Sequence, residues 1–186
     1  MSQSDAAAGP LLDGAAQVGA LPAEISADIV DECFRIPSEA DPRLSPSRSD
    51  VDSMYGARTE GAAMVVWFGS APDVPRAFGS CVAVANGDDW VLVGRGFRPD
   101  PGRDTSSIVW HTSAASGGTA AALSGRTSGD AAEIVLVLED GRRLRAEILG
   151  DGIVAIPWTP VALPARLVVL DDAGRRLYDG PFAAFS

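Results

Sequence analysis

The sequence contains no lysine, one histidine, one asparagine and two cysteines among its 186 residues. Two cysteines are too few for a disulfide-rich scaffold or a closed zinc site. With a single histidine, His111, any Ser-His-Asp device would have to use that residue. No apolar run reaches the length of about 18 residues that a transmembrane helix needs. With these scarcities, the sequence shows no recognisable catalytic constellation.

Residues 1–9 have neither the basic start nor the apolar stretch of a signal peptide. The chain as written is therefore expected in the cytoplasm. A chain trimmed of a signal or an anchor would read the same, and it would be extracytoplasmic.

The net charge is −10, and most of it lies near the start of the chain. Residues 1–60 carry 11 acids and 4 arginines, whereas residues 61–186 carry 14 acids and 11 arginines. A negative chain repels phosphate backbones and anionic lipid surfaces. Nucleic acid and membrane surfaces are therefore poor partners, and another protein is the expected partner.

The first 53 residues read as a flexible acidic arm that contains one short helix. Residues 1–22 are rich in Ala, Gly, Ser and Asp, which is typical of a loosely attached tail. A helix is predicted over residues 23–36, because Ile25, Ile29, Val30, Cys33 and Phe34 share one helical face. Proline and serine make residues 38–53 read as a linker.

From residue 54 to residue 186 the pattern changes to short apolar runs separated by turn residues. Such spacing, without helical periodicity between the runs, predicts an all-β domain, an antiparallel β-sandwich of Ig-like or jelly-roll-like type. The predicted strands are 62–68, 78–85, 90–93, 107–112, 119–127, 133–138, 144–149, 153–156, 166–170 and 175–178. An Asn-Gly pair at 86–87 predicts a hairpin.

The hairpin over residues 133–149 is the clearest element. Residues 134–138 are apolar on both faces, which predicts a central buried strand, whereas 144–149 alternate between apolar and charged residues. Its acidic turn is echoed by the turn at 171–174, and both are interpreted as hairpins of the same construction.

The run from Ala120 to Tyr178 resembles the β-rich extracytoplasmic regions of many uncharacterised actinobacterial proteins. The residues that carry the likeness are Gly125-Arg126-Thr127, Ile134–Leu138, Asp140-Gly141-Arg142, Ala146-Glu147-Ile148, Gly152 and Ala155-Ile156-Pro157-Trp158. The likeness covers about a third of the chain, and it implies a β fold and no activity. Those regions follow a membrane span, and no span precedes the match here.

His111 has hydroxyl and carboxyl neighbours in sequence, but they do not form a triad by adjacency. Ser106, Ser107 and Asp104 lie near it, whereas residues on a strand alternate between faces and no nucleophile elbow is present. His111 is therefore interpreted as structural. The Gly94-Arg95-Gly96 segment lacks the third glycine and the helix of a dinucleotide-binding turn.

Three further groupings of residues have both a functional and a structural interpretation. Acidic turns could converge on Ca²⁺, but no single segment supplies the six or more oxygens that the ion needs. Four tryptophans could form a sugar platform, although burial is the commoner fate of tryptophan. Cys33 and Cys81 could pair in an oxidising compartment or stay as small core residues. The acidic turns are Asp88-Asp89, Asp140, Asp151 and Asp171-Asp172, and the tryptophans are Trp67, Trp90, Trp110 and Trp158.

The sequence thus predicts a non-enzymatic interaction or structural domain with no catalytic, cofactor-binding or metal-binding residues. Two alternatives are a domain that binds a small molecule or carbohydrate, and an enzyme of unrecognised type. A clustered aromatic patch would favour binding, whereas a cleft that holds His111 beside a carboxylate and a hydroxyl would favour an enzyme.

Overall fold

The computed structural model describes residues 12–35, 46–71, 73–100, 109–114, 120–127 and 129–182. These ranges are mostly β-strand with one short helix, α1 (Ala23–Phe34), which confirms the predicted all-β, sandwich-like fold. No helix in the described ranges is long and apolar enough to cross a membrane. The strands are β1 (Ala16–Gln17), β2 (Gly19–Ala20), β3 (Val51–Thr59), β4 (Ala62–Ala71), β5 (Val74–Asn86), β6 (Asp89–Pro99), β7 (Val109–Ala114), β8 (Ala121–Arg126), β9 (Ala131–Leu138), β10 (Arg143–Glu147), β11 (Ile153–Trp158), β12 (Pro164–Asp171) and β13 (Arg176–Pro181).

The strands form three sheets. The meander sheet has the order β2-β3-β4-β5-β6, and its neighbours are antiparallel and follow chain order. The hairpin sheet has the order β1-β10-β9-β12-β13, and the small sheet has the order β11-β8-β7. The predicted hairpin at Asn86-Gly87 joins β5 to β6, with Gly87 at φ 65°. Glycine suits this turn because a positive φ costs it nothing.

The meander sheet is covered on both faces. Successive side chains of a strand point to opposite faces, and Met64 and Val66 of β4 accordingly join the main core. Ala63 and Val65, on the other face, pack with Cys81 and helix α1. The sheet therefore separates the main core from a second apolar cluster under the helix.

Two strands of the small sheet, β8 and β11, lie inside the protein. Every residue of β8 and β11 is buried, and β11 packs against β3 and β4. Burial of consecutive residues means that both faces of these strands are covered. Sequence patterning located both strands, but it did not predict this enclosed position.

The hairpin of β9 and β10 agrees with its prediction. Strand β9 is the central strand of the hairpin sheet, and Leu136 is fully buried. Val135, on the opposite face, packs with Val168 and Leu170 of β12. In β10, Leu144 is buried and its neighbours in sequence are not, as the alternation predicted.

The attachment of the predicted tail and the bounds of two elements differ from the sequence prediction. The described part of the predicted tail is attached, because β1 pairs with β10, β2 pairs with β3, and Val18 between them lies in the main core. Leu12 packs against the outer cluster of the hairpin sheet. Strand β3 begins at Val51, inside the predicted linker, and α1 ends at Phe34 rather than at residue 36. The sequence missed β1 and β2 because strands of two residues carry no periodicity.

Helix α1 lies on the outer face of the meander sheet and is joined to it covalently. Ile29, Val30 and Cys33 are buried on its sheet-facing side, as the predicted face required. Cys33 forms a disulfide with Cys81 of β5, and their Cα atoms are 5.9 Å apart. That separation lies within the usual range for disulfides. Of the two open alternatives, the structure therefore shows the pair.

Candidate functional site

Three aromatic rings meet where the C-terminal end of α1 lies on the meander sheet. The ring centroids of Phe34 and Trp67 are 5.7 Å apart, and those of Trp67 and Phe97 are 6.2 Å apart. Both pairs are tilted, within the range of favourable aromatic contacts. The rings come from α1, β4 and β6, so tertiary packing alone brings them together. We call this place the aromatic cavity.

A glycine on the neighbouring strand makes room for the central ring. Trp67 is paired in register with Gly79 of β5. A Cβ added to Gly79 would lie 2.1 Å from two atoms of the Trp67 indole, closer than any real contact. The indole therefore lies over the Gly79 backbone, and this position admits no side chain.

The helix end that forms one wall of the cavity has two attachments. The first is the Cys33–Cys81 disulfide. The second is Arg95 of β6, whose Nη1 donates to the carbonyl oxygens of Cys33 (3.0 Å) and Arg35 (2.8 Å). The last carbonyls of a helix have no partner within the helix and carry partial negative charge. Arg95 satisfies two of the carbonyls at this end.

The cavity has a volume of about 220 Å³ and is lined mainly by rings, the disulfide and backbone. Among its described lining residues, Arg95 is the one ionisable side chain, and its Nη1 already bonds the helix end. General acid–base catalysis requires a group that can exchange protons near neutral pH. The described lining offers no such group, and it combines three aromatic rings with polar groups of Ser80 and Arg95.

A second depression adjoins the cavity along α1, and Phe34 lines both. Its other lining residues are charged, and two ion pairs cross it, one between Arg48 and Asp31 and one between Arg35 and Glu32. Asp28 also lines it. A cavity walled by aromatic rings thus opens beside a surface of mixed charge.

Of the histidine and the glycine pair singled out from the sequence, Gly96 lines the aromatic cavity, whereas Gly94 and His111 are not among its described lining residues. His111 lies in β7, paired in register with Ser124, and its side chain lies outside the described part of the structure. Residues 101–108, which include Ser106, Ser107 and Asp104, also lie outside it. Gly94 and Gly96 lie within β6, so this segment is extended strand and not a phosphate-binding turn.

The tryptophans are distributed over different parts of the fold. Trp67 lines the aromatic cavity, and Trp158 is buried in the main core, where its Nε1 donates to the carbonyl oxygen of Ala162 (3.0 Å). Trp90 packs against the cluster under the helix. The side chain of Trp110 lies outside the described residues. The three that can be placed do not share a surface platform.

Two of the acidic turns use their carboxylates internally. Asp140 accepts bonds from the backbone N–H and the Nε of Arg142, and Asp171 accepts the same two bonds from Arg175. The backbone N–H donors hold the pKa of both carboxyls below its ordinary value. The similar turns noted in the sequence are therefore two hairpins of the same construction.

No group of three His, Cys, Asp or Glu side chains in the described ranges is placed to hold a metal ion. Asp88 and Asp89 are exposed in the β5–β6 turn, and the side chain of Asp151 lies outside the description.

Sequence reasoning placed Phe34 on the buried face of the helix and did not single out Phe97 or the role of Arg95. The available signal was the pair of cysteines, since a bridge between them brings the end of α1 to the middle of β5. No protein-family model, no curated protein and no solved structure matches this chain.

Proposed function

We propose that this chain is a non-enzymatic interaction domain that binds a partner polypeptide by taking one of its apolar side chains into the aromatic cavity. The observation that carries the proposal is the arrangement of Phe34, Trp67 and Phe97 around a partly open space. Interfaces concentrate binding energy in anchors of this kind, where one side chain fills a desolvated pocket.

The size of the cavity supports a single ring as its occupant. Its volume is about 220 Å³. A cavity of about 150 Å³ binds benzene, whereas drug-sized ligands occupy roughly 300–1,000 Å³. The space therefore suits one aromatic or branched aliphatic side chain.

The adjoining depression favours a polypeptide over a free small molecule. Phe34 lines both spaces, so a chain that inserts a ring beside Phe34 would pass over Asp28 and the two ion pairs. Polar rims around an apolar anchor are the usual anatomy of a protein interface. The cavity would supply most of the affinity, and the depression would select for sequence.

We further propose that the domain works in an oxidising compartment. The support is the Cys33–Cys81 disulfide, since such bonds persist mainly outside the reducing cytosol. The resemblance of residues 120–178 to extracytoplasmic regions points the same way. Fractionation of the native host with an antibody against this chain tests the location, and recovery in the cytosolic fraction would contradict it.

The cavity can be tested with N-acetyl-phenylalaninamide, which presents one phenylalanine ring. Its roughly 15 non-hydrogen atoms, at about 0.3 kcal/mol each, give about 4.5 kcal/mol and predict a Kd of about 0.5 mM. Titration followed by amide chemical shifts should move the signals of Phe34, Cys81 and Phe97. Phe97→Ala should weaken this binding, because it removes one of the three rings.

Val91→Ala is the matched control, because Val91 lies on the same strand as Phe97 and is 43% exposed. It should bind the probe as the parent does. No saturable shifts in the parent, or shifts that persist unchanged in Phe97→Ala, would refute the proposal.

A further inference from the structure

A second site lies on the main-core face of the meander sheet, away from the helix. Phe68 of β4 and Phe78 of β5 are paired in register, with ring centroids 5.0 Å apart. The guanidinium carbon of Arg126 lies 4.7 Å from the centre of the Phe68 ring, and that of Arg98 lies 5.4 Å from the centre of the Phe78 ring. The guanidinium groups of two arginines therefore lie over two phenylalanine rings that contact each other.

Among the described residues at this place, the arginines outnumber the carboxylates. Nη1 of Arg126 donates to both carboxylate oxygens of Asp100 (2.9 Å each), and Arg76 donates to the same carboxylate (3.2 Å). Arg98 has no carboxylate partner in the described parts of the chain. Among the described residues, Asp100 thus pairs with two of the three arginines of this cluster, inside a chain whose net charge is −10.

Two buried donors of this cluster are unused. The Nε atoms of Arg98 and Arg126 are both shielded from solvent and have no hydrogen-bond partner. The side chain of Arg126 is only 9% exposed, so water does not replace the missing bond freely. A buried charged donor without an acceptor is costly. Burial also lowers the pKa of Arg98 to about 10, because the charged guanidinium is partly removed from water.

We propose that Arg98 and Arg126 form a binding site for a carboxylate, supplied either by a small organic acid or by an acidic side chain of a polypeptide. A planar carboxylate matches the geometry of a guanidinium and accepts two parallel bonds. The chain's overall negative charge opposes multiply charged anions such as phosphates. The phenylalanine rings beneath the guanidinium groups provide an apolar floor for the body of the ligand.

The unused Nε–H groups give a direct readout. In protein labelled with ¹⁵N, each arginine Nε–H has its own signal, and titration with sodium acetate should shift those of Arg98 and Arg126 in a saturable way. Sodium chloride at the same ionic strength should not. Arg98→Gln should weaken acetate binding by about tenfold, or about 1.4 kcal/mol.

Arg58→Gln is the matched control, since Arg58 is an exposed arginine of neighbouring strand β3. It should bind acetate as the parent does. A parallel titration with the capped peptide Gly-Asp-Gly distinguishes the two sources, since tighter binding than that of acetate assigns the site to a polypeptide. Because the parent protein is tested first, failure of a variant to fold leaves the main titration decisive.

Three results would overturn the proposal: no saturable shift with acetate or peptide, equal shifts with chloride, or shifts spread over many arginines. The last pattern would indicate adventitious ion binding only. None of these results affects the aromatic cavity, which lies on the opposite face of the sheet and is probed with an uncharged ligand.

Discussion

Removal of the Cys33–Cys81 disulfide should destabilise the protein by about 4 kcal/mol. The bond closes a loop between residues 48 positions apart. In the chain-entropy treatment, closing a loop of that length lowers the conformational entropy of the unfolded chain. The folded state is thereby stabilised by about 4 kcal/mol at 25 °C. The change is the double substitution Cys33→Ala and Cys81→Ala, which places no polar atom in a buried site.

The helix should respond more strongly than the sheets. Its buried contacts come mainly from Ile29, Val30 and Cys33, and its C-terminal end is held otherwise by Arg95. An isolated helix of 12 residues is marginal in water. Without the disulfide, α1 should therefore open locally before the sheets unfold, and the aromatic cavity should lose one wall.

Urea denaturation followed by circular dichroism measures the effect. The parent should lose about the same free energy of unfolding when a reductant is added, whereas the double variant should not respond to the reductant. Hydrogen exchange should show earlier opening of α1 in the variant. A loss below about 1 kcal/mol would refute the reasoning, because the loop constraint would then not limit the unfolded chain. Free thiols in the denatured, unreduced parent would refute it as well.

Three further predictions concern the core, the cavity and acid stability. Leu136→Ala should lower the free energy of unfolding by about 2–5 kcal/mol, because Leu136 is fully buried. Arg143→Ala should change it by no more than about 0.5 kcal/mol. Chemical denaturation of both variants checks this prediction, and equal losses would contradict it. Gly79→Ala should displace the indole of Trp67, since the added Cβ would lie 2.1 Å from that ring. The near-ultraviolet circular dichroism spectrum should therefore change. An unchanged spectrum would show that the ring is placed elsewhere. Because the pKa values of Asp140 and Asp171 are lowered in the folded protein, their ionised carboxylates stabilise it above about pH 4. This stability is lost as the pH falls through the folded-state pKa values. Denaturation midpoints should therefore drop in acid, and they should drop less in Asp171→Asn. An equal drop in that variant would assign the acid sensitivity to other groups.

Local patterns in the sequence determined much of the fold. The apolar stripe of α1, the double-faced strand β9 and the alternation in β10 follow from neighbours a few residues apart, and all three were predicted at nearly their observed positions. Side-chain periodicity and turn chemistry act over such short distances. The acidic turns were also read correctly as turns, because an aspartate there bonds its own backbone.

Tertiary structure alone decided the two candidate sites. The rings of Phe34, Trp67 and Phe97 come from three elements that are far apart in the chain, and no short-range pattern relates them. The same holds for Arg126 and Asp100, which are 26 positions apart. Their meeting depends on strand order and register, which are set by the burial of the whole sheet rather than by local preference. Sequence could therefore name the cysteines and tryptophans as candidates, but only the packed sheets determined which of them share a cavity.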